Sequence, residues 1–279
     1  MVSKEKIWNL LIQKTNLGRI AKELREGKCS QPQDLRKLAN EIGVSGYLKA
    51  PELISLDSLE RLPQALVKHK LYVIRLGQHP DSRAKFVLCK ASENYRREII
   101  KVEDIKNHKH FIEISTRDIP KWALSLALNA SGEALASCFA ILFLKKMEEA
   151  RIFTLPSVRL GSVRFSFKPT RVSRNYTYWG QVEIDTVLGS NKIFALEAKG
   201  KGVKTLFKHK IAFSALALAQ VVGKPVYPLV AFISERKKEL EVNVALLAPR
   251  IDPSNKTYVI EDLCLKTTTT VRIPVSLQS

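Results

Sequence analysis

Four ionisable side chains fall close together in QVEIDTVLGSNKIFALEAKGKGVK, residues 181–204: Glu183, Asp185, Glu197 and Lys199. Two carboxylates beside an ammonium can share a hard divalent cation and offset charge on a substrate. Whether they meet depends on local structure. Gln181–Leu188 alternates and is rich in β-formers, Gly189-Ser190-Asn191 is turn chemistry, and Lys192–Lys199 is a second strand, so the stretch reads as a hairpin. In that second strand Ala195, Glu197 and Lys199 share one face, while Phe194, Leu196 and Ala198 share the other. With Gly189–Asn191 as the loop, Asp185 lies opposite Ala195 and Glu183 opposite Glu197. Asp185 and Glu197 are then diagonal neighbours, about 7–8 Å apart before side-chain reach. A two-residue loop would turn Glu197 to the other face, so the reading depends on register. A half-buried hairpin also shows charge on its wet face, and that plain alternative gives the same pattern without chemistry.

The neighbouring segments would have to position this hairpin. Upstream, Thr116–Pro120 reads as a boundary, Trp122–Leu128 as a helix, and Glu133 to about Ala150 as a longer helix with Ser131 as its N-cap. Leu135, Phe139, Leu142 and Phe143 form its apolar stripe, and Glu133 suits the positive end of its dipole. Val163–Lys168 alternates as a strand with Phe165 and Phe167 inward. The following loop, KPTRVSRNYTYWG, mixes cations with aromatics. Arg164, Lys168, Arg171, Arg174 and Tyr176 before the hairpin, and Lys201, Lys204 and Lys208 after it, suit phosphate positioning and groove contacts. A solvated surface loop is the bland alternative. Downstream, Ile211–Val222 is an apolar helix closed by Gly223, with Gln220 near its end, and Pro228–Ser234 and Glu241–Ala248 are strands. A β-rich tail, KTTTTVRIPV, follows.

The first part of the chain reads differently. Residues 4–26 have helical periodicity, and Gln33–Ile42 is a second helix with Gly43 as C-cap. Joined by Gly-Lys-Cys-Ser, they fit either a helix-turn-helix or a plain helical subdomain, the commoner case. Leu59–Lys70 is a helical turn or two, and Leu71–Leu76 and Lys85–Cys89 are paired strands around GQHPDSRA. His108 and His110 read as surface residues. The expected division is residues 1–115, a basic α+β region, and residues 116–279, which carry the hairpin.

Composition narrows the partner. The 279 residues carry a net charge of +19, with +8 in residues 1–150 and +11 in residues 151–279. That excess favours a polyanion through counterion release and steering. An acidic membrane surface would attract it too, but no basic amphipathic helix stands out. No apolar run is long enough to span a bilayer and no secretory leader is evident, so a cytoplasmic protein without a membrane partner is expected. Cys29, Cys89, Cys138 and Cys264 are scattered without metal-ligand spacing and read as reduced thiols. There is no GxxxxGK[ST], GxGxxG after a strand, HExxH or GxSxG.

Asp185, an eleven-residue gap and Glu197-Ala198-Lys199 resemble the PD-(D/E)XK signature of type II restriction endonucleases and related DNA-cleaving enzymes. Ile184 stands where the family name has Pro. The resemblance spans about residues 120–250. It implies an α/β (α+β) fold with an αβββαβ core and a mixed central sheet. It also implies a Mg²⁺-dependent endodeoxyribonuclease that acts on double-stranded DNA. In that reading Asp185, Glu197 and Lys199 are catalytic. Asp185, Glu197, the Ala198 carbonyl and Glu133, from the helix before the sheet, hold the metal. A restriction role implies a homodimer and a cognate methyltransferase as genetic partner. A repair or junction-cleaving nuclease of the same fold, and a non-catalytic DNA-binding protein, are the alternatives.

Overall fold

The computed structural model describes residues 3–44, 50–77, 84–115, 117, 121, 132–148, 151–236 and 239–274. Among these, the first elements are helices α1 (Lys4–Lys14) and α2 (Leu17–Glu23), strand β1 (Gln33–Asp34), and helices α3 (Leu35–Glu41), α4 (Ala50–Ile54) and α5 (Gln64–Lys68). Strands β2 (Leu71–Arg75), β3 (Lys85–Lys90) and β4 (Ile99–Lys101) follow, then helices α6 (Val102–Lys106) and α7 (Gly132–Glu148). Strands β5 (Phe153–Lys168), β6 (Tyr176–Gly189), β7 (Ile193–Lys199) and β8 (Thr205–Phe207) lead into helix α8 (Lys208–Val222). Strands β9 (Val226–Arg236), β10 (Glu239–Ala248), β11 (Tyr258–Val259) and β12 (Cys264–Pro274) complete the chain. The fold is mixed α/β, with a seven-stranded sheet in the order β11-β5-β6-β7-β9-β10-β12. No helix among the described residues is long and apolar enough to cross a membrane.

The chain forms two compact units that differ from a division at residue 115. One comprises Met1–Ile99, Gly161–Gln181 and Lys256–Glu261; the other comprises Ile100–Leu160, Val182–Asn255 and Asp262–Ser279. Long strands cause the difference: β5 and β6 each contribute residues to both units, so the boundary cuts elements that periodicity reads as continuous.

In the first unit β1, β3 and β2 form an antiparallel sheet, and the expected β2–β3 pair is present. Trp8 is fully buried edge-on to Phe86, and its indole N–H donates to the Leu53 carbonyl. The expected helix over residues 4–26 is broken. Thr15 is extended, its hydroxyl donates to the Leu11 carbonyl at 2.6 Å, and its Oγ1 accepts the Leu17 N–H at 3.2 Å. One side chain thus ends α1 and opens α2. The expected helix at Gln33 starts later, at Leu35, because Asp34 accepts the Arg36 and Lys37 N–H groups as N-cap. Between α2 and α3 the chain pairs with β3, at Cys29↔Cys89, Gln33↔Phe86 and Asp34↔Lys85. This extended connection replaces the short turn a helix-turn-helix requires. The same pairing joins Cys29 to Cys89 in a disulfide, correcting the expectation of reduced thiols for these two; Cys138 and Cys264 are free. Gly77 has φ +83°, and a Cβ there would lie 2.1 Å from the Trp179 carbonyl oxygen, so only glycine permits that bridge.

In the second unit the C-terminal half of β6 pairs antiparallel with β7, and β7 pairs parallel with β9. β9, β10 and β12 continue antiparallel. Strand alternation gives the sheet two distinct faces. On one, Leu188, Phe194, Leu196 and Ala198 meet Leu135, Phe139 and Phe143 of α7 in a single core. Each fully buried large side chain there contributes about 1.5–3 kcal/mol. The other face of β7 and β9 lies under α8. Residues Ile211–Ala219 of α8 are all buried, and Gly223 ends the helix in the left-handed conformation (φ +64°), as expected for a C-cap. In chain order α7, β5, β6, β7, α8 and β9 make helix, three strands, helix, strand, with β8 between β7 and α8. The expected N-cap Ser131, the helix Trp122–Leu128 and most of GQHPDSRA lie outside the described residues.

Candidate active site

The hairpin forms in a register two residues from the expected one. Gly189 pairs with Ile193 and Thr186 with Leu196, so the loop is Ser190–Lys192. The loop keeps an odd length, and the parity therefore survives. Continuing the register one pair beyond Thr186↔Leu196 would set Asp185 opposite Glu197, rather than in the diagonal placement expected. Asp185 Oδ2 accepts the Ala198 N–H at 2.8 Å, which ties the carboxylate to the neighbouring strand.

The face carrying these residues is no wet face. Glu197 is 1% exposed, because α8 lies across it. A buried carboxylate requires compensation, and α8 supplies much of it. Glu197 Oε1 accepts from Lys199 Nζ at 2.9 Å and lies 3.4 Å from Lys210 Nζ. Glu197 Oε2 is 3.3 Å from the Ser214 hydroxyl, which donates to it. Lys210 and Ser214 are four residues apart, so one face of α8 carries both. Asp185 is half-buried. Burial, and then the Glu197 charge, push its pKa up to about 6 against the opposing Ala198 hydrogen bond and the Lys199 and Lys210 charges. An open concavity of about 480 Å³ reaches Asp185, lined also by Ser157, Arg159, Glu183 and Ile184. Glu183 does not join the cluster; it is exposed and ion-paired with Arg159.

A magnesium ion fits this donor set. Mg²⁺ is commonly bound by one or two carboxylates while waters and phosphate oxygens complete its octahedron. Asp185 and Glu197 offer the two carboxylates, and the Ala198 main chain follows Glu197 and donates to Asp185. No group of three or more His, Cys, Asp or Glu side chains that could hold a metal occurs among the described residues. Glu133 is the second residue of α7, whose first residue, Gly132, approaches the Gly200 Cα. The Glu133 side chain lies outside the described residues.

The expected DNA-contacting residues divide between the units. In the first, Arg164 lies over the Trp179 ring and Arg174 over the Tyr176 ring, and Lys168 is half-buried. Arg171 is exposed and its backbone N–H donates to Glu261. Tyr176 is a core residue rather than a groove-facing one: it packs near Phe167 and its hydroxyl donates to the Ser30 carbonyl. The expected loop is also shorter, since β6 begins at Tyr176. In the second unit Lys201 and Lys204 are exposed, whereas Lys208 is buried at the start of α8. Gln220 points to solvent near the end of α8.

Lys210 and Ser214 escaped the reading of the chain as site residues. Their signal was present: a lysine and a serine at helical spacing, one turn apart, in the otherwise apolar run KIAFSALALA. No family model matches the chain, no curated protein matches it, and no solved structure matches it.

Proposed function

We propose that this chain is a Mg²⁺-dependent endodeoxyribonuclease of the PD-(D/E)XK type, cutting double-stranded DNA as a type II restriction endonuclease does. The observation that carries the reading is the convergence of Asp185, Glu197 and Lys199 on one sheet face. The mixed α/β fold, with helix α7 before β5–β7 and helix α8 after them, supports the reading. A net charge of +19 supports a polyanionic substrate.

Asp185 and Glu197 hold the cation, with the Ala198 carbonyl and Glu133 as further candidate ligands. When bound, Mg²⁺ activates a water for attack and neutralises charge on the scissile phosphate. Lys199 is tethered to Glu197 and stands beside Asp185, where its ammonium donates to the attacking water and offsets charge developing on the phosphate. Asp185 opens to the concavity, which provides the approach for a phosphate. Arg164, Lys168, Arg171, Arg174, Lys201 and Lys204 supply backbone contacts. A restriction role adds a homodimer for palindromic cleavage and a partner methyltransferase.

One observation favours a second reading. Glu197 already has Lys199, Lys210 and Ser214 as partners, as a purely structural ion pair would. The protein would then bind DNA without cutting it. Incubating supercoiled plasmid with the protein and Mg²⁺ separates the readings. The nuclease reading expects linear product and discrete fragments, lost in Asp185→Ala, Glu197→Ala and Lys199→Ala while gel-shift binding in Ca²⁺ persists. Intact plasmid with the wild type, or cleavage retained by the Asp185 or Glu197 variant, refutes it. Structure-dependent nicks without discrete fragments would identify a repair or junction-cleaving enzyme instead.

A further inference from the structure

We propose that Lys210 is an internal counter-ion that occupies the Asp185–Glu197 site in the free protein and is exchanged for the divalent cation. The inference rests on the reading of Asp185 and Glu197 as metal ligands.

Charge balance is the first argument. Among the described side chains, the Asp185 and Glu197 carboxylates face two ammonium groups, Lys199 and Lys210. With all four charged these groups sum to zero, so they offer a dication little net attraction. Adding M²⁺ without removing a cation would leave a local charge of +2 in a largely buried site. Such an excess is costly where the dielectric is low. One lysine must therefore withdraw, or its charge must be matched by an incoming phosphate.

The second argument identifies the one that yields. Lys199 sits on β7, makes a 2.9 Å contact with Glu197, and has a side chain 12% exposed. Lys210 shares the same Glu197 oxygen at a longer 3.4 Å, with a side chain 32% exposed. It also lies in the first turn of α8, where the helix dipole is positive and a cation is disfavoured. The weaker contact, the route to solvent and the adverse dipole all single out Lys210. Its departure frees a Glu197 oxygen for the metal and leaves Lys199 in place. Free protein would consequently hold the metal poorly, and DNA, which brings its own negative charge, would favour loading.

The test uses the full chain without DNA. Free Mn²⁺ is followed by electron paramagnetic resonance during titration of the wild type, Lys210→Gln and Lys210→Arg, with Asp185→Asn as the site control. Lys210→Gln should bind Mn²⁺ about tenfold more tightly than the wild type, Lys210→Arg should resemble the wild type, and Asp185→Asn should lose the site. Equal affinity in the wild type and Lys210→Gln overturns the exchange while sparing the metal reading. Absence of Mn²⁺ binding in both overturns the exchange and the metal reading together. A second measurement needs no variant. Pulse acetylation of the wild-type protein, read by mass spectrometry, should label Lys210 several-fold faster with Mg²⁺ than with EDTA. Labelling indifferent to Mg²⁺ overturns the proposal.

Discussion

Asp185→Asn should make the free protein more stable at neutral pH, and the gain should disappear in acid. Burial and the facing Glu197 lift the Asp185 pKa from 3.8 to about 6. The folded state therefore binds this proton more tightly than the unfolded chain does. Its effect on stability is most favourable below pH 4, is lost as pH rises from about 4 to about 6, and leaves a full deficit above that. The gap between those two values corresponds to about 3 kcal/mol. Asparagine is neutral throughout and can still accept the Ala198 N–H through Oδ1, so the variant escapes the deficit with little change of shape. Urea unfolding in EDTA at pH 4, 5, 6, 7 and 8 measures the difference. The expected result is coincident stability near pH 4 and a variant more stable by up to about 3 kcal/mol at pH 8. Mg²⁺ should then stabilise the wild type and not the variant. Parallel stability profiles from pH 4 to 8, or a variant less stable at pH 8, would refute the view that Asp185 is held ionised against its surroundings.

Glu197→Ala should cost about 3–5 kcal/mol, since it removes the buried carboxylate that Lys199, Lys210 and the Ser214 hydroxyl all contact; urea denaturation measures it, and a loss below about 0.5 kcal/mol would return Glu197 to the class of solvated face residues. Lys199→Ala should abolish plasmid cleavage while leaving Mn²⁺ binding intact, because an ammonium donates and cannot ligate a cation; simultaneous loss of both would place Lys199 in the metal site's architecture instead. Arg171→Ala with Arg174→Ala should weaken DNA binding and lower its salt slope by about one unit per lost phosphate contact. Unchanged affinity and slope in filter binding across a salt series would make those arginines ordinary surface.

What could be read from the chain follows the range over which each structural cause acts. Strand parity is local, so the shared face of Asp185, Glu197 and Lys199 was legible even though the loop lies one residue later than expected. Moving the loop by one residue shifts the pairing by two and preserves the face. Helix capping was legible at Gly223, where one glycine decides, but hidden at Thr15, whose side chain interrupts a helical pattern. The Cys29–Cys89 bridge and the two interleaved units depend on contacts distant in sequence, for which spacing holds no cue. Tyr176 was misplaced for a related reason. An aromatic among arginines suits a nucleic-acid surface, yet strand β6 turns this one into the core.

The burial of Glu197 sets the character of the hairpin's charged face. A hairpin considered alone leaves its charged face wet, and there Glu197 beside Lys199 costs little and implies little. Once α8 covers the face, the same carboxylate must be compensated by whatever that helix presents. Helix α8 is apolar around most of its circumference, so periodicity does not reveal which side meets the sheet. The interruptions do: Lys210 and Ser214 are a turn apart, and the apolar residues around them cannot solvate a charge. A buried acid on a strand and a polar pair on the next helix thus predict one another. The pairing also underlies the proposed exchange. Lys199 comes from the same strand as Glu197 and moves with it, whereas Lys210 comes from a separate element and is partly exposed to water. In that proposal only the second leaves, and β7 keeps its pairing with β6.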